Sequence, residues 1–126
     1  NKRNLEILLQ AWSLAREYDR AIATIDRLGA LAEDGSYYMQ KAGILNERGD
    51  WEDVVEAVGQ ALETGVDRPA DAYLLAGIAH VELKQYEEAI NAFRQARSLG
   101  NDDQRRTASG WIDFVQEKQS LRRAAL

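Results

Sequence analysis

A short pattern occurs three times along the chain at nearly constant spacing, and this repetition restricts the fold more than any other feature. Each copy has a turn, an aromatic residue, two polar residues and then a small or β-branched apolar residue. The aromatic residues are Tyr18, Trp51 and Tyr86, which lie 33 and then 35 residues apart. Apolar residues then follow at helical spacing: Ile25, Leu28, Val58, Ala61, Phe93 and Ala96. Each turn is therefore predicted to open a helix with one apolar face.

A second apolar helix precedes each aromatic residue, so each copy is predicted to be a helix pair. The small residues Ala21, Ala42, Gly77 and Ala89 occur where paired helices must approach each other closely. The predicted helices lie near residues 3–16, 19–31, 35–48, 51–64, 69–83 and 86–99.

Glycine, aspartate and proline mark the predicted helix ends. Gly49 is expected to end one helix, and Gly65 and Gly100 are expected to be left-handed C-terminal residues of two others. Asp50 is a candidate N-cap, and Pro69 suits the first turn of a helix because its missing N–H has no partner to lose there.

The last part of the chain is predicted to be a capping helix over about residues 102–124. Asn101 and Gln104 have the spacing of a capping box. Apolar residues then lie mainly on one face, and they are Ala108, Trp111, Ile112 and Val115. A stack of helix pairs needs a terminal element with one apolar and one polar face, which this helix supplies.

Residues 2–103 resemble the tetratricopeptide repeat family. The match is best at 70–103, where the signature places hold Tyr73, Gly77, Tyr86, Ala89, Phe93 and Ala96. The first repeat departs from the pattern, with Leu9 and Leu28 where small residues are usual. The resemblance implies an all-α, right-handed α-solenoid of three helix pairs and a capping helix. The implied boundaries are 1–34, 35–69 and 70–101 for the repeats and 102–126 for the cap.

Composition restricts the partners of the chain. A net charge of −5 and a pI of about 4.9 argue against nucleic acid and against anionic membrane surfaces. The chain has no cysteine, which excludes disulfides and thiolate metal sites, and no apolar run is long enough to be inserted into a membrane. Because it begins with Asn1 instead of methionine, we expect a piece of a longer protein.

No pattern of residues predicts catalysis, a metal or a cofactor. His80 is the only histidine, and we expect it to be packed and hydrogen-bonded in a helix. The acidic pairs Glu52–Asp53 and Glu87–Glu88 occupy the same place in two repeats, the first turn of a helix. Carboxylates at that place stabilise the helix dipole, so a structural role is favoured over acid–base chemistry.

The family resemblance also implies where a partner would bind. In tetratricopeptide repeat proteins the first helices of the pairs line a concave groove. The predicted partner-binding residues are Glu6, Gln10, Met39, Gln40, Asn46, Asp71, Leu74, Leu75, Ile78 and Glu82.

The predicted groove differs from that of the chaperone-binding members, which hold a peptide carboxylate with cationic residues. The matching places here have no lysine or arginine, which argues against that ligand. The groove is apolar near Leu74, Leu75, Ile78 and Val81. A protein or peptide partner with apolar anchors and some basic residues suits such a surface. Alternatively, these leucines and Ile78 simply pack on neighbouring helices.

Two further features indicate alternatives. The first predicted helix has apolar residues around much of its circumference, which suggests that upstream repeats or a second copy of the chain cover it. In addition, residues 108–115 are similar to the end of proteobacterial periplasmic repeat proteins linked to TonB-type systems. The leading hypothesis is a protein-interaction scaffold. The alternative is a self-associating assembly or regulatory subunit, with a periplasmic role in a TonB-type system as its implied setting.

Overall fold

The computed structural model describes residues 1–31 and 34–125, and in that part every regular element is an α-helix. The helices are α1 (Lys2–Leu14), α2 (Tyr18–Gly29), α3 (Ser36–Arg48), α4 (Trp51–Thr64), α5 (Pro69–Glu82), α6 (Tyr86–Leu99) and α7 (Asp102–Ala124). The all-α prediction is confirmed. The chain divides into two compact units, an N-terminal unit Asn1–Val66 and a C-terminal unit Asp67–Leu126. Ala32, Glu33 and Leu126 belong to the predicted first repeat and cap, and they lie outside the described residues.

Consecutive helices pack on one another in the N-terminal unit, which contains α1 to α4. One core cluster joins α1, α2 and the start of α3, and it consists of Leu5, Leu9, Ala21, Ile25, Leu28 and Tyr37. Trp12 lies at the edge of this cluster, with the Arg20 guanidinium 4.8 Å from its ring centroid. The apolar face predicted for α2 is therefore the face that is buried.

The three turns within the helix pairs have the same backbone geometry. Each contains one left-handed residue two positions before the aromatic residue: Arg16 with φ 58°, Gly49 with φ 78° and Lys84 with φ 60°. The next residue donates its backbone N–H to a carbonyl five positions earlier, at 2.9, 3.0 and 2.8 Å in the three turns. Such a bond satisfies a carbonyl at the end of the preceding helix. The sequence repeat is thus a structural repeat, although only one of these turns uses glycine.

The predictions for the three glycine residues at helix ends were only partly right. Gly49 ends α3 in the left-handed conformation, as predicted. Gly65 has a positive φ of 108° but a ψ of 131°, which lies outside the left-handed helical region. The prediction for Gly100 was wrong, because its φ of −90° and ψ of 168° are extended. The extended backbone leads directly into Asn101, the N-cap of α7, which is itself extended.

The predicted helix starts gave mixed results. Asp50 does not cap α4 with its side chain, and its Oδ2 lies 3.2 Å from Arg48 Nε instead. Pro69 is the first residue of α5, as predicted. The capping box is also confirmed: Asn101 Oδ1 accepts from the Gln104 backbone N–H at 2.9 Å, and Gln104 Oε1 accepts from the Asn101 N–H at 2.8 Å.

Small residues occur at close helix contacts, as predicted. Ala21, Ala42 and Ala89 have no exposed surface. Gly77 of α5 faces Phe93 of α6, and a Cβ at this glycine would come within 2.5 Å of the ring. Only glycine lets α5 and α6 approach this closely.

The C-terminal unit contains α5, α6 and α7, with α6 packed against both of its neighbours. Its core cluster consists of Ala89, Ile90, Phe93, Ala96, Ala108, Ile112 and Val115. Trp111 stacks on Phe93 with ring centroids 5.5 Å apart, which fixes α7 against α6.

Among the described residues, no helix combines the length and apolar character that crossing a bilayer requires.

Candidate functional site

One concave pocket in the N-terminal unit collects three of the predicted partner-binding residues. Glu6 and Gln10 of α1 and Gln40 of α3 line this pocket, which has a volume of about 470 Å³. The other lining residues are Leu9, Ser13, Leu14 and Tyr37. The pocket lies between the first helices of the first two repeats, and we call it the α1–α3 pocket.

A hydrogen bond joins the two walls of the α1–α3 pocket. The Tyr37 hydroxyl of α3 donates to Glu6 Oε1 of α1 at 2.6 Å. This bond raises the pKa of Tyr37 to about 12, because ionisation would remove the donor, and burial and the Glu6 charge act in the same direction. Tyr37 is only 9% exposed. Tyr37 therefore stays neutral and holds the exposed Glu6 side chain in place.

The lining of the α1–α3 pocket combines apolar surface with hydrogen-bonding groups. Leu14 is 79% exposed at its edge, whereas Leu9 is almost fully buried and contributes its floor. Gln10 and Gln40 are exposed, and their side-chain amides donate and accept hydrogen bonds. No lysine or arginine is found among the described lining residues. The pocket therefore offers acceptors to a cation and nothing that would hold a carboxylate by charge.

Met39 and Asn46, the other predicted residues of this unit, are not among the residues that line the pocket. Both lie on α3 and are half-buried. Asn46 Oδ1 is buried and has no hydrogen-bond partner among the described residues. The structure thus brings together three of the five predicted residues of this unit.

In the C-terminal unit most of the predicted residues make contacts within their own unit. Asp71 Oδ1 accepts a hydrogen bond from Gln104 Nε2 at 2.7 Å, which ties α5 to the start of α7. Leu74 and Ile78 are half-buried and pack against the core cluster formed by α6 and α7. Leu75 is half-buried and Glu82 is exposed. Leu74 and Ile78 therefore make the contacts that the alternative predicts, in which they pack on neighbouring helices.

The residues considered for catalysis occupy structural positions. His80 Nδ1 lies 2.7 Å from Gln85 Oε1, so the histidine is hydrogen-bonded as expected, although it is half-buried and lies outside the core cluster. The two acidic pairs lie in the first turns of α4 and α6. Within the described part of the chain, no three His, Cys, Asp or Glu side chains are grouped so that they would hold a metal ion.

Tyr37 lines the pocket but, like Leu9 and Leu14, was not among the predicted partner-binding residues. The signature spacing points to Tyr38, which is half-buried and lies against Gly29, with the tyrosine Cζ 3.5 Å from where a Cβ on that glycine would be. The preceding Tyr37 is the more deeply buried of the two. The available signal was its position two residues beyond Gly35, at the start of α3, where a side chain points back toward α1.

A family model describes the repeat region. The model described as "Anaphase-promoting complex, cyclosome, subunit 3" matches residues 15–96, which is more than half of the chain. The chain belongs to this family of tetratricopeptide repeat proteins. The match begins between α1 and α2 and ends within α6, so it includes the three repeated turns. A comparison with curated protein sequences finds no match.

Solved tetratricopeptide repeat domains have the same fold. The domain of Arabidopsis OM64 is 20% identical, with a TM-score of 0.75 and coverage of 93% of this chain and 95% of that one. The TPR2B domain of yeast Sti1, solved as a complex with pHsp70, is 16% identical, with a TM-score of 0.77 and coverages of 93% and 97%. The Sgt2 domain from Aspergillus fumigatus is 19% identical, with a TM-score of 0.74 and coverages of 99% and 83%.

The comparisons confirm the predicted repeat family and fold. At such low identities the likeness to solved domains shows the fold and does not transfer a ligand. The predicted link of residues 108–115 to TonB-type systems stays a prediction.

Proposed function

We propose that this tetratricopeptide repeat protein is a protein-interaction module that binds a segment of a partner protein in the α1–α3 pocket. The observation that carries the proposal is the pocket of about 470 Å³ between the first helices of two repeats. Its volume lies within the range of specific ligand sites. The yeast Sti1 domain, which has the same fold, is solved with a bound partner, and this supports a peptide or protein ligand here.

The lining favours a partner segment with apolar anchors and basic residues. Glu6 is the only charged residue among the described lining residues, so the lining itself carries one negative charge. The exposed side chain of Leu14 offers apolar contact at the edge. A peptide ending in a carboxylate would meet Glu6 and find no cation among the described lining residues, and we expect it to be excluded.

Affinity capture with a matched control tests the proposal. Gln10→Lys/Gln40→Lys fills the pocket with two long cationic side chains on exposed positions. Gln95→Lys/Gln116→Lys makes the same change of charge on exposed positions of α6 and α7. We expect to find proteins that the wild type and the control capture from cells and that the pocket variant does not. Their binding is then measured with purified components.

The result that would overturn the proposal is a partner set that is the same for all three proteins, or a purified partner that binds the pocket variant with unchanged affinity. Circular dichroism of each variant before capture verifies that the helices are intact.

Self-association through α1 is a second candidate, because this helix exposes large apolar side chains. Ile7 is 58% exposed and Leu8 is 40% exposed. Exposed apolar patches commonly mark interfaces. Light scattering over a wide range of protein concentration measures the molecular mass and so tests self-association. A mass that rises with concentration for the wild type and not for Ile7→Ser supports self-association, whereas a constant monomer mass removes this candidate.

A further inference from the structure

We infer that the α1–α3 pocket receives an arginine side chain of the partner, with the guanidinium bound by Glu6 and the aliphatic stem lying on Leu9 and Leu14. The inference rests on the proposed function and specifies the residue type that the pocket takes. It follows from three features of the pocket. Glu6 has a neutral hydrogen-bond partner, Tyr37 holds the Glu6 carboxylate in place, and the lining contains both apolar and hydrogen-bonding side chains.

Glu6 has a different kind of partner from Asp19, Asp26 and Asp50, the carboxylates of the N-terminal unit that form salt bridges. Asp26 lies 2.7 Å from Lys41 Nζ, and Asp19 lies 2.7 Å from an Arg48 nitrogen, so both charges are compensated within the chain. Glu6 instead accepts from a neutral phenol and forms no salt bridge with any described residue. Other exposed carboxylates of this unit, such as Glu17 and Glu47, also form no salt bridge with a described residue, so Glu6 is set apart by its fixed position in the pocket. A partner cation would form a charge-assisted hydrogen bond there, which is stronger than a neutral one.

Tyr37 positions the Glu6 carboxylate without neutralising it. The bond of 2.6 Å goes to Oε1 and leaves Oε2 to accept from a ligand. Because the tyrosine ring is buried against the core, it fixes the side-chain conformation of a glutamate that is otherwise exposed. A carboxylate held in this way loses less conformational entropy when it binds a partner. Tyr37 is therefore a positioning residue, and Glu6 is the residue that touches the ligand.

The remaining lining favours arginine over lysine. A guanidinium has five N–H donors in a plane, whereas an ammonium has three. The side-chain carbonyls of Gln10 and Gln40 line the same pocket as Glu6 and supply further acceptors for these donors. The methylene groups of an arginine have apolar surface to cover on Leu14, which is exposed, and on the small accessible part of Leu9 at the floor. The volume of about 470 Å³ also leaves room for an apolar residue next to the arginine.

A displayed library of random peptides, panned on the immobilised full chain, supplies the probe. Selected peptides are then synthesised with arginine or with citrulline, which has nearly the same shape but no charge. Affinities are measured for the wild type, Glu6→Gln and Tyr37→Phe. Glu6→Gln keeps an oxygen that accepts from Tyr37, so the fold is retained, and thermal melts of all three proteins verify this.

We expect the selected peptides to contain an arginine beside an apolar residue. On the wild type, citrulline should weaken binding about tenfold, as for a charge-assisted pair worth roughly 1.4 kcal/mol. On Glu6→Gln the arginine and citrulline peptides should bind alike. Tyr37→Phe should lower the ratio of the two affinities, because the carboxylate is no longer held. A merely structural loss at Tyr37 would weaken both peptides equally and leave the ratio unchanged.

The outcomes separate the inference from the proposed function. Peptides that lose affinity for Gln10→Lys/Gln40→Lys but are indifferent to citrulline overturn the arginine inference and leave the proposed function standing. An equal citrulline penalty on the wild type and on Glu6→Gln also overturns the inference. Recovery of no peptide above background overturns both.

Discussion

Gly77 faces the ring of Phe93 so closely that no side chain fits at this position. A Cβ would lie 2.5 Å from Cε1 and 2.7 Å from Cζ of the ring, and the ring is fully buried. We expect Gly77→Ala to lower the free energy of unfolding by about 1–3 kcal/mol, because α5 and α6 must separate to admit the methyl group. Urea unfolding followed by circular dichroism measures this change.

Gly59 provides the matched control for this substitution. It is also in a helix, but nothing lies within 4 Å of the place that a methyl group on it would occupy. Gly59→Ala is expected to raise the free energy of unfolding by about 0.5–1 kcal/mol through helix propensity alone. Equal unfolding midpoints for the two variants would contradict the close contact at Gly77.

The raised pKa of Tyr37 predicts a pH dependence of stability. The pKa rises from 10.0 to about 12, chiefly through the bond to Glu6. A group whose folded pKa is raised contributes its full stability below its ordinary pKa and loses it as the pH rises through the folded value. The stability advantage of the wild type over Tyr37→Phe is therefore expected to fall by on the order of 2 kcal/mol between about pH 10 and pH 12.

Urea unfolding midpoints at several alkaline pH values measure this difference. In Glu6→Gln the charge that opposes ionisation is gone, so a smaller fall is expected. An advantage of the wild type that stays constant over the whole range would show that the Tyr37 hydroxyl does not donate to Glu6.

At the scale of the elements, the repeated turns place long side chains where the backbone is left-handed. Arg16 and Lys84 have φ values of 58° and 60°, in the turns that correspond to Gly49. This conformation costs a residue with a Cβ about 1–2 kcal/mol. Replacement by glycine removes this cost, but part of the gain is lost because glycine gives up more conformational entropy on folding. We expect Lys84→Gly to raise the free energy of unfolding by about 0.5–1 kcal/mol. Gly49→Ala should lower it by about 1 kcal/mol. Thermal melts that show both variants shifted in the same direction would contradict this.

The start of α7 depends on its capping box. Asn101 Oδ1 satisfies the backbone N–H of Gln104 at 2.9 Å. Asn101→Ala is expected to lower the free energy of unfolding by about 1 kcal/mol. Asn91 of α6 is an exposed asparagine inside a helix, so Asn91→Ala should leave stability unchanged or slightly higher. If the two substitutions have the same effect in urea unfolding, the cap contributes nothing.

The electrostatics of the whole molecule give a prediction for binding. The chain carries a net charge of −5, so an arginine peptide approaches an acidic protein. The affinity of such a peptide is expected to fall as NaCl is added, and that of its citrulline form to change less. Fluorescence anisotropy of labelled peptides measures both. An arginine affinity that does not respond to salt would argue against pairing with Glu6.

Much of the fold was predictable because the repeat fixes the apolar face of each helix. The helices of the described residues follow from that face and from signals such as Pro69 and Asn101, which act within a single turn of chain. The left-handed turns at Arg16 and Lys84 were not predictable, because the context imposes a conformation that neither residue prefers. The extended Gly100 was misread because glycine allows either conformation.

Less of the candidate site was predictable, and the reason is physical. Sequence periodicity identifies a helix face, but it does not say whether a helix of the same chain or a partner covers that face. Glu6 and Gln40 lie together, as the family resemblance implies, whereas Leu74 and Ile78 pack against the core cluster of α6 and α7. Partner binding by the residues around Glu6 stays a prediction.

The bond between Glu6 and Tyr37 spans 31 positions of sequence and has one end on the first helix of the chain. When α1 frays from its neighbours, the carboxylate and one wall of the pocket leave together. Only the fraction of molecules with α1 docked is then able to bind, and the observed dissociation constant is the intrinsic one divided by that fraction. A bound ligand would in turn slow hydrogen exchange of the α1 amides.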